Sequence, residues 1–254
     1  MVSSRTGLRL MPVVGLPEVQ AGDDLGRLIY DALLASDLHP AESDILVVTH
    51  KVVAKAEGRV IDLTTVEPSE FSRKFAAQWD KDPRQVEVVL RESVRIVRMD
   101  RGIIISETEH GLICANAGVD RSNVVGSDQV CLLPRDPDAS ARRIADTLQM
   151  LSGCVVPVVI SDTFGRAWRE GLTNVAIGVA GIRPIRSYIG MLDTQGRPLR
   201  VTALAVADEL AAAAELVMGK VDRVPAALVR GYEAEVGEGS AHELIRLPEL
   251  DMFR

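Results

Sequence analysis

Val158-Val159-Ile160-Ser161-Asp162-Thr163-Phe164-Gly165-Arg166-Ala167-Trp168-Arg169 begins as a wholly apolar run, then breaks into an acid, a hydroxyl, a glycine and two arginines. An apolar run of this length, just after Pro157, predicts a buried strand. Side chains at the carboxyl end of such a strand face the crevice in which α/β proteins tend to bind ligands. Asp162 and Thr163 both offer hard oxygen, the donor that suits Mg²⁺ or Mn²⁺. Arg166 and Arg169 are suited to neutralising phosphate or carboxylate oxygens. The stretch reads as metal, phosphate and carboxylate chemistry at the end of a strand. The competing reading is a turn capped by Asp162 with solvated arginines.

Outward from this run, the pattern alternates between strand and helix. Leu8 to Leu16 predicts a first strand ending in Gly15-Leu16-Pro17. Asp23 or Asp24 then caps a helix whose stripe is Leu25, Leu28, Ile29, Ala32 and Leu33. Asp44 to Thr49 is a second strand, followed at once by His50-Lys51-Val52-Val53-Ala54-Lys55-Ala56. Helices are expected over 68–79 and 83–93, and 102–106 with 111–115 form a hairpin about Glu107 to His110. Ala139 to Leu151 is helical and stops at Gly153. The small residues from Gly171 to Gly181 allow close backbone approach, and Gln195-Gly196 marks a turn. Val206 to Met218 is an alanine-rich helix ending at Gly219, and Ala226 to Gly231 is a closing strand. Strands and helices mix without a strict βαβ rhythm, which favours an α+β fold over a doubly wound sheet. The expectation is a two-domain mixed α/β subunit with boundaries near 80–100 and 160–200, which makes one domain discontinuous.

Composition removes several function classes. A chain of 254 residues has ample core for one large or two small domains. A formal charge of −7 argues against a dedicated nucleic-acid surface. Aromatics at 4% supply few stacking platforms. Cys114, Cys131 and Cys154 are an odd set without CxxC spacing, so buried small hydrophobes are expected rather than disulfides or structural zinc. No segment reaches about 18 uninterrupted apolar residues, and Met1 to Arg9 has no signal-peptide core. A cytoplasmic protein that binds no membrane is the expectation.

Polar clusters recur at the ends of apolar runs. Leu16-Pro17-Glu18-Val19 is a turn whose backbone could cradle a ligand, although Pro17 alone explains a turn. Lys51 and Lys55 stand at i, i+4 of a helix, where two cations repel unless an anion lies between them; the alternative is a solvated face. His50 alone reads as a polar surface residue. In Asn116-Ala117-Gly118-Val119-Asp120-Arg121-Ser122-Asn123, Asp120 gives a carboxylate and Asn123 an amide, and an Asx-turn is equally consistent. There is no GxxxxGK[ST] loop, no GxGxxG, no GxSxG and no HExxH. A nucleotide here would have to be held by metal-bridging carboxylates and lysines.

Taken in order, GLPEV, THKVVAKAEGRV, NAGVDRSNV, ISDTFGRAWREG with NVAIGVAGI, and MGK…VPAALVRG resemble the F-420-0:γ-glutamyl ligases, in their actinobacterial form. The resemblance runs from about residue 10 to 231. It implies a GTP-dependent ligase that adds L-glutamate to the coenzyme F-420 precursor and extends its γ-linked tail. It further implies two divalent cations, Mg or Mn, with potassium as a further candidate, and an intertwined homodimer with its groove at the interface. Carried over by motif, Asp120 and Asp162 are ligands of one metal and Thr163 of the second. Asn123, Leu16 to Val19, His50 and Lys55 are nucleotide contacts, as is the Gly219-Lys220 segment. Members of the family often carry Gln or Glu where Lys220 stands; a protonated lysine cannot ligate a metal, so phosphate is its expected contact. The actinobacterial form often continues into a nitroreductase-like flavin domain, which is not within these residues.

The chemistry implied is amide formation through an acyl phosphate, with positioning and charge neutralisation as the protein's task. Arg166 and Arg169 are assigned, on chemistry alone, to the substrate carboxylates. Three other readings share the same oxygens. One is a nucleotide- or metal-binding module without turnover, another a ligase for a different acid and amino acid, and the third a non-catalytic paralogue.

Overall fold

The computed structural model describes residues 7–122, 126 and 128–252. The chain opens with β1 (Arg9–Pro12) and α1 (Leu25–Ala35), the latter capped by Asp24, which accepts the Arg27 backbone N–H. β1 is shorter than the predicted Leu8 to Leu16 strand, because Gly15 at φ 81° turns the chain out of the extended region. β2 (Asp44–Thr49) then runs without a linker into α2 (His50–Ala56).

A second group of elements follows: β3 (Val60–Asp62), α3 (Glu70–Trp79), α4 (Pro83–Arg91), β4 (Ser93–Asp100), β5 (Ile103–Thr108), β6 (Ile113–Ala115) and β7 (Gln129–Cys131). The expected hairpin is β5–β6, and β4 joins it as a third strand. The chain returns through α5 (Pro137–Ser152), which ends at Gly153 in the left-handed conformation, as its sequence implies. Then come β8 (Val158–Arg166), β9 (Arg169–Ala180), β10 (Arg186–Ser187), β11 (Ala203–Leu204), α6 (Val206–Met218) and β12 (Ala226–Arg230). The fold is α+β.

The principal sheet has the order β1-β12-β2-β8-β9, with β2 and β8 parallel and the other neighbours antiparallel. β12, the predicted closing strand, lies inside the sheet between β1 and β2. Successive side chains of a strand face opposite sides, so a strand covered on both faces reads as an unbroken apolar run. Leu46, Val48, Val158, Ile160 and Leu228 face one core with Ile29, Leu33, Ile144 and Leu148 of α1 and α5. Ile45, Val47, Val159 and Val229 face the other, with Leu210, Ala214 and Met218 of α6. A third core, drawn from residues 63–132, holds Leu63, Val86, Val89, Ile104, Val130 and Leu132.

The small residues of β9 serve packing. A Cβ on Gly178 would lie 2.5 Å from the Pro137 carbonyl carbon and oxygen, so the start of α5 rests directly on the strand. Val179 N–H donates to Asp138 Oδ1 at 2.7 Å, fixing that approach. No described helix is long and apolar enough to cross a membrane.

One strand differs from expectation in a way that matters. β8 does not stop where its apolar run does but continues to Arg166, so Asp162 is a mid-strand residue rather than a terminal one. The polar residues are held extended by β9: Asp162 pairs with Val175, Thr163 with Asn174 and Gly165 with Leu172. Beyond Asp162 the two strands form an arm that turns at Ala167-Trp168.

Candidate active site

The site begins at the parallel pair β2–β8. Thr49 is in register with Ser161, so the next residues, His50 and Asp162, come side by side. His50 Nδ1 lies 3.1 Å from Asp162 Oδ1, and the histidine is 2% exposed. It is thus a buried residue, not the surface residue its sequence context suggests. Asp162 Oδ1 also accepts the Thr163 backbone N–H. His50 Nε2 is buried and, among the described residues, has no hydrogen-bond partner. A buried unpaired polar atom costs about 1–3 kcal/mol, so the position favours an incoming polar partner.

α2 supplies the lysines. Lys51 Nζ meets Asp120 Oδ2 at 2.6 Å, and Lys55 Nζ pairs with Glu18. Each cation of the i, i+4 pair therefore has its own carboxylate. Asp120 is placed by β7: its backbone N–H and C=O exchange hydrogen bonds with Cys131 at 3.0 and 2.8 Å. Burial pushes the Asp120 carboxyl up, but hydrogen bonds from Lys51 and Ser122 outweigh it and hold the group below its ordinary value. The expected turn at Leu16 to Val19 is instead irregular backbone; Val19 anchors it in the first core, and it brings Glu18 over Lys55.

Cys131 reports how tightly these charges gather. Burial raises its thiol to about 11; the charges of Lys51 and Lys55 oppose the rise, and those of Asp120 and Asp162 add to it. Cys114 is raised to about 12 by burial first and then by the Asp162 charge. The charges of Asp120, Asp162, Lys51 and Lys55 thus all act on the Cys131 thiol, although the residues come from distant parts of the chain.

Thr163 faces the other side of β8. Its hydroxyl donates to Asn174 Oδ1 at 2.7 Å and accepts from Lys220 Nζ at 2.7 Å. Lys220 also lies 3.3 Å from Asn174 Oδ1 and 2.8 Å from Glu215 Oε1. Asn174 Nδ2 completes the cluster by donating to Glu215 Oε2 at 2.9 Å. Asn174 and Glu215 were not singled out in the sequence; Asn174 gives a signal only as a polar residue entering a buried strand. Gly219 ends α6 at φ 62°, a conformation open chiefly to glycine, and so turns Lys220 back over Glu215.

Two expected site residues lie elsewhere. Arg166 pairs with Arg169 at the tip of the β8–β9 arm, and both are exposed. Four strand residues separate Arg166 from Asp162, about 13 Å at the usual rise, so within one chain the arginines do not reach the carboxylates. Arg166 instead donates to the Gly171 and Glu170 backbone carbonyls. Asn123 lies outside the described residues.

No group of three or more His, Cys, Asp or Glu poised to hold a metal occurs among the described residues. The two carboxylates nevertheless fit a hard divalent ion, because Mg²⁺ commonly takes one or two carboxylates and completes its shell with water and phosphate.

Comparison with known proteins identifies the family. The family model described as "F420-0:Gamma-glutamyl ligase" matches residues 14–231. The chain is 47% identical over 251 residues to "Coenzyme F420:L-glutamate ligase" of Methanothermobacter thermautotrophicus, covering 98% of this chain and 99% of that one. It is 45% identical over 252 residues to the protein of that name from Methanopyrus kandleri, covering 97% and 98%. A third relative with the same name, from Methanocaldococcus jannaschii, is 39% identical over 250 residues, covering 97% and 98%. The chain belongs to the F420-0:gamma-glutamyl ligase family.

Proposed function

We propose that the protein joins L-glutamate to the coenzyme F-420 precursor in an amide bond and extends the γ-linked tail at the expense of GTP. The observation that supports this most is the pair of charged contacts carried by adjacent residues of α2, His50 with Asp162 at 3.1 Å and Lys51 with Asp120 at 2.6 Å, with His50 Nε2 buried and without a partner among the described residues. Two acids and two lysines, without a glycine-rich phosphate loop, suit a nucleotide held through its phosphates.

In this reading the terminal carboxylate of the acceptor attacks the γ-phosphorus of GTP, the bond to the β-phosphate oxygen breaks, and GDP leaves. The resulting acyl phosphate is attacked by the glutamate α-amine, a C–N bond forms, and phosphate departs with the C–O bond's electrons. Asp120 and Asp162 would hold a divalent cation, which would supply positive charge to offset the negative charge on phosphate. Lys51 and Lys55 supply point charges that would shift from their carboxylates to phosphate. His50 lies against Asp162 through Nδ1 and would help to orient it, and its unpartnered Nε2 would be open to a polar group of the nucleotide. Such a site works chiefly by positioning and electrostatic stabilisation.

A homodimer belongs to the same reading. Trp168 (81% exposed) and Leu172 (68%) on the arm, together with Ile189, Met191 and Leu192, are large apolar side chains left in solvent by one chain. Large apolar residues exposed in this way suit an interface. An arm exchanged between two chains would also carry Arg166 and Arg169 towards a neighbour's groove, where substrate carboxylates would need them.

The test is turnover with a mass readout. The purified protein is incubated with GTP, Mn²⁺, L-glutamate and the F-420 precursor. The precursor should gain glutamyl units with stoichiometric GDP release. GTP binding without any gain in mass would favour a binding module, and neither binding nor turnover would overturn the reading.

A further inference from the structure

The cluster around Lys220 is a concentration of polar groups separate from the one at Asp120 and Asp162, and its geometry is that of a cation seat. An ammonium has three donors and no acceptor. Lys220 meets one oxygen for each: Thr163 Oγ1 at 2.7 Å, Glu215 Oε1 at 2.8 Å and Asn174 Oδ1 at 3.3 Å. Asn174, 2% exposed, cannot turn away, because its Nδ2 is engaged by Glu215 Oε2. One carboxylate against one ammonium leaves the cluster electrically neutral. The lysine is delivered by backbone geometry, since Gly219 breaks α6 at φ 62° one turn beyond Glu215.

We propose that Thr163, Asn174 and Glu215 form a site for a small cation, and that its resident is the ammonium of Lys220. The second positive charge of the active centre is then a side chain and not a metal. This rests on the ligase reading for its role but not for its existence. A divalent ion does not fit beside Lys220. The seat already holds its charge, and Mg²⁺ would draw the oxygens in to about 2.1 Å. The observed spacings of 2.7 to 2.8 Å suit ammonium, or a potassium ion of similar size. Thr163 therefore does not take up a second divalent ion as the resemblance implies. It orients a built-in cation, which needs no recruitment from solution and cannot be removed by a chelator.

Thermal melting of Lys220→Ala tests this without turnover. In that variant, ammonium or potassium chloride should raise the melting temperature by about 2–4 °C over tetramethylammonium chloride of equal ionic strength, the shift expected for recovering one good polar cluster in a chain of this size. The large tetramethylammonium ion cannot enter the seat. The wild type should show no such difference, and Lys220→Ala/Thr163→Val should lose it. Equal responses of Lys220→Ala to the two salts, or discrimination by the wild type, would overturn the proposal. A second arm counts bound Mn²⁺ by electron paramagnetic resonance. Glu215→Gln should bind as many ions per chain as the wild type, and loss of one ion would place a metal in the seat and overturn the proposal. Neither arm depends on whether the protein makes amide bonds.

Discussion

Replacing Asp162 by asparagine separates what this residue does for the fold from what it does for chemistry. Asp162 Oδ1 accepts one hydrogen bond, from the Thr163 N–H at 2.6 Å, and lies 3.1 Å from His50 Nδ1 as an ion-pair contact. An asparagine Oδ1 accepts the Thr163 N–H in the same place, so that donor is not stranded. What changes is charge: a hydrogen bond to an ionised acceptor contributes about 1.5–3 kcal/mol and one to a neutral acceptor about 0.5–1.5 kcal/mol. The net stability loss is therefore about 1 kcal/mol, which lowers the melting temperature by about 2–4 °C in a chain of this length. Turnover should respond on another scale. Losing an electrostatic contact that strengthens in the transition state costs about 3 kcal/mol, a hundredfold or more in rate. Calorimetry and a GDP-release assay with Mn²⁺, L-glutamate and acceptor measure the two quantities on one preparation. Turnover within threefold of the wild type would refute the role given to the carboxylate. A melting temperature lower by more than about 10 °C would instead make Asp162 a structural residue.

Four further outcomes follow from single features. Glu87 is held down at about 2, first by the Ser69 backbone N–H and then by the Ser69 and Ser72 hydroxyls. A carboxyl lowered on folding stabilises above its unfolded pKa and loses that contribution as pH falls towards its folded one, so Glu87→Gln should flatten the loss of stability between about pH 4.5 and 2, read by acid titration of the circular dichroism. Cys131 and Cys114, raised to about 11 and 12, should resist iodoacetamide at pH 8, while half-buried Cys154 is labelled first; peptide mass mapping that shows Cys131 modified as fast as Cys154 would contradict the buried cluster. Gly178→Ala drives a methyl into the Pro137 backbone and should cost about 1–3 kcal/mol, and an unchanged melting temperature would contradict the packing of α5 on β9. Trp168→Glu at the arm's tip should leave the melting of the chain's core unchanged and weaken the proposed homodimer, measured by sedimentation velocity at several concentrations.

What could be read from the sequence is what local signals determine. Asp24 and Gly219 mark helix ends because a cap acts on its own turn, and α1 and α6 start and stop where these residues direct. β2 is legible because a strand buried on both faces is apolar throughout. The reach of β8 is not legible, because Ser161 to Arg166 are extended through partners on β9 and not through their own apolarity. His50 looks like a surface residue for the same reason: its burial comes from the register with β8, more than a hundred residues away. The two carboxylates were found as chemistry, but their partners were not. The i, i+4 spacing of Lys51 and Lys55 leaves open a shared anion or a solvated face, whereas the two lysines pair with Asp120 and Glu18 separately. Asn174 and Glu215 carry no motif and become functional candidates only when Lys220 folds over them.

The placement of a β-bulge decides which group of partners each site residue meets. Between the pairs Ile160–Gly178 and Ser161–Ala176 the ladder slips by one, and the extra residue lies on β9. β8 therefore alternates without interruption: Val158 and Ile160 face the core of α1 and α5, and Phe164 packs there too. Asp162 inherits that face and meets His50; Thr163 inherits the opposite one and meets Asn174, beneath Glu215 and Lys220 of the α6 side. Had the extra residue fallen on β8 between Ile160 and Asp162, every later side chain would change face. The carboxylate would then point to α6, where Glu215 already stands, and the hydroxyl to the buried histidine. Two adjacent residues can thus serve two separate charge clusters, one built on carboxylates and the other on an ammonium, because the strand that carries them keeps its period and its neighbour absorbs the irregularity.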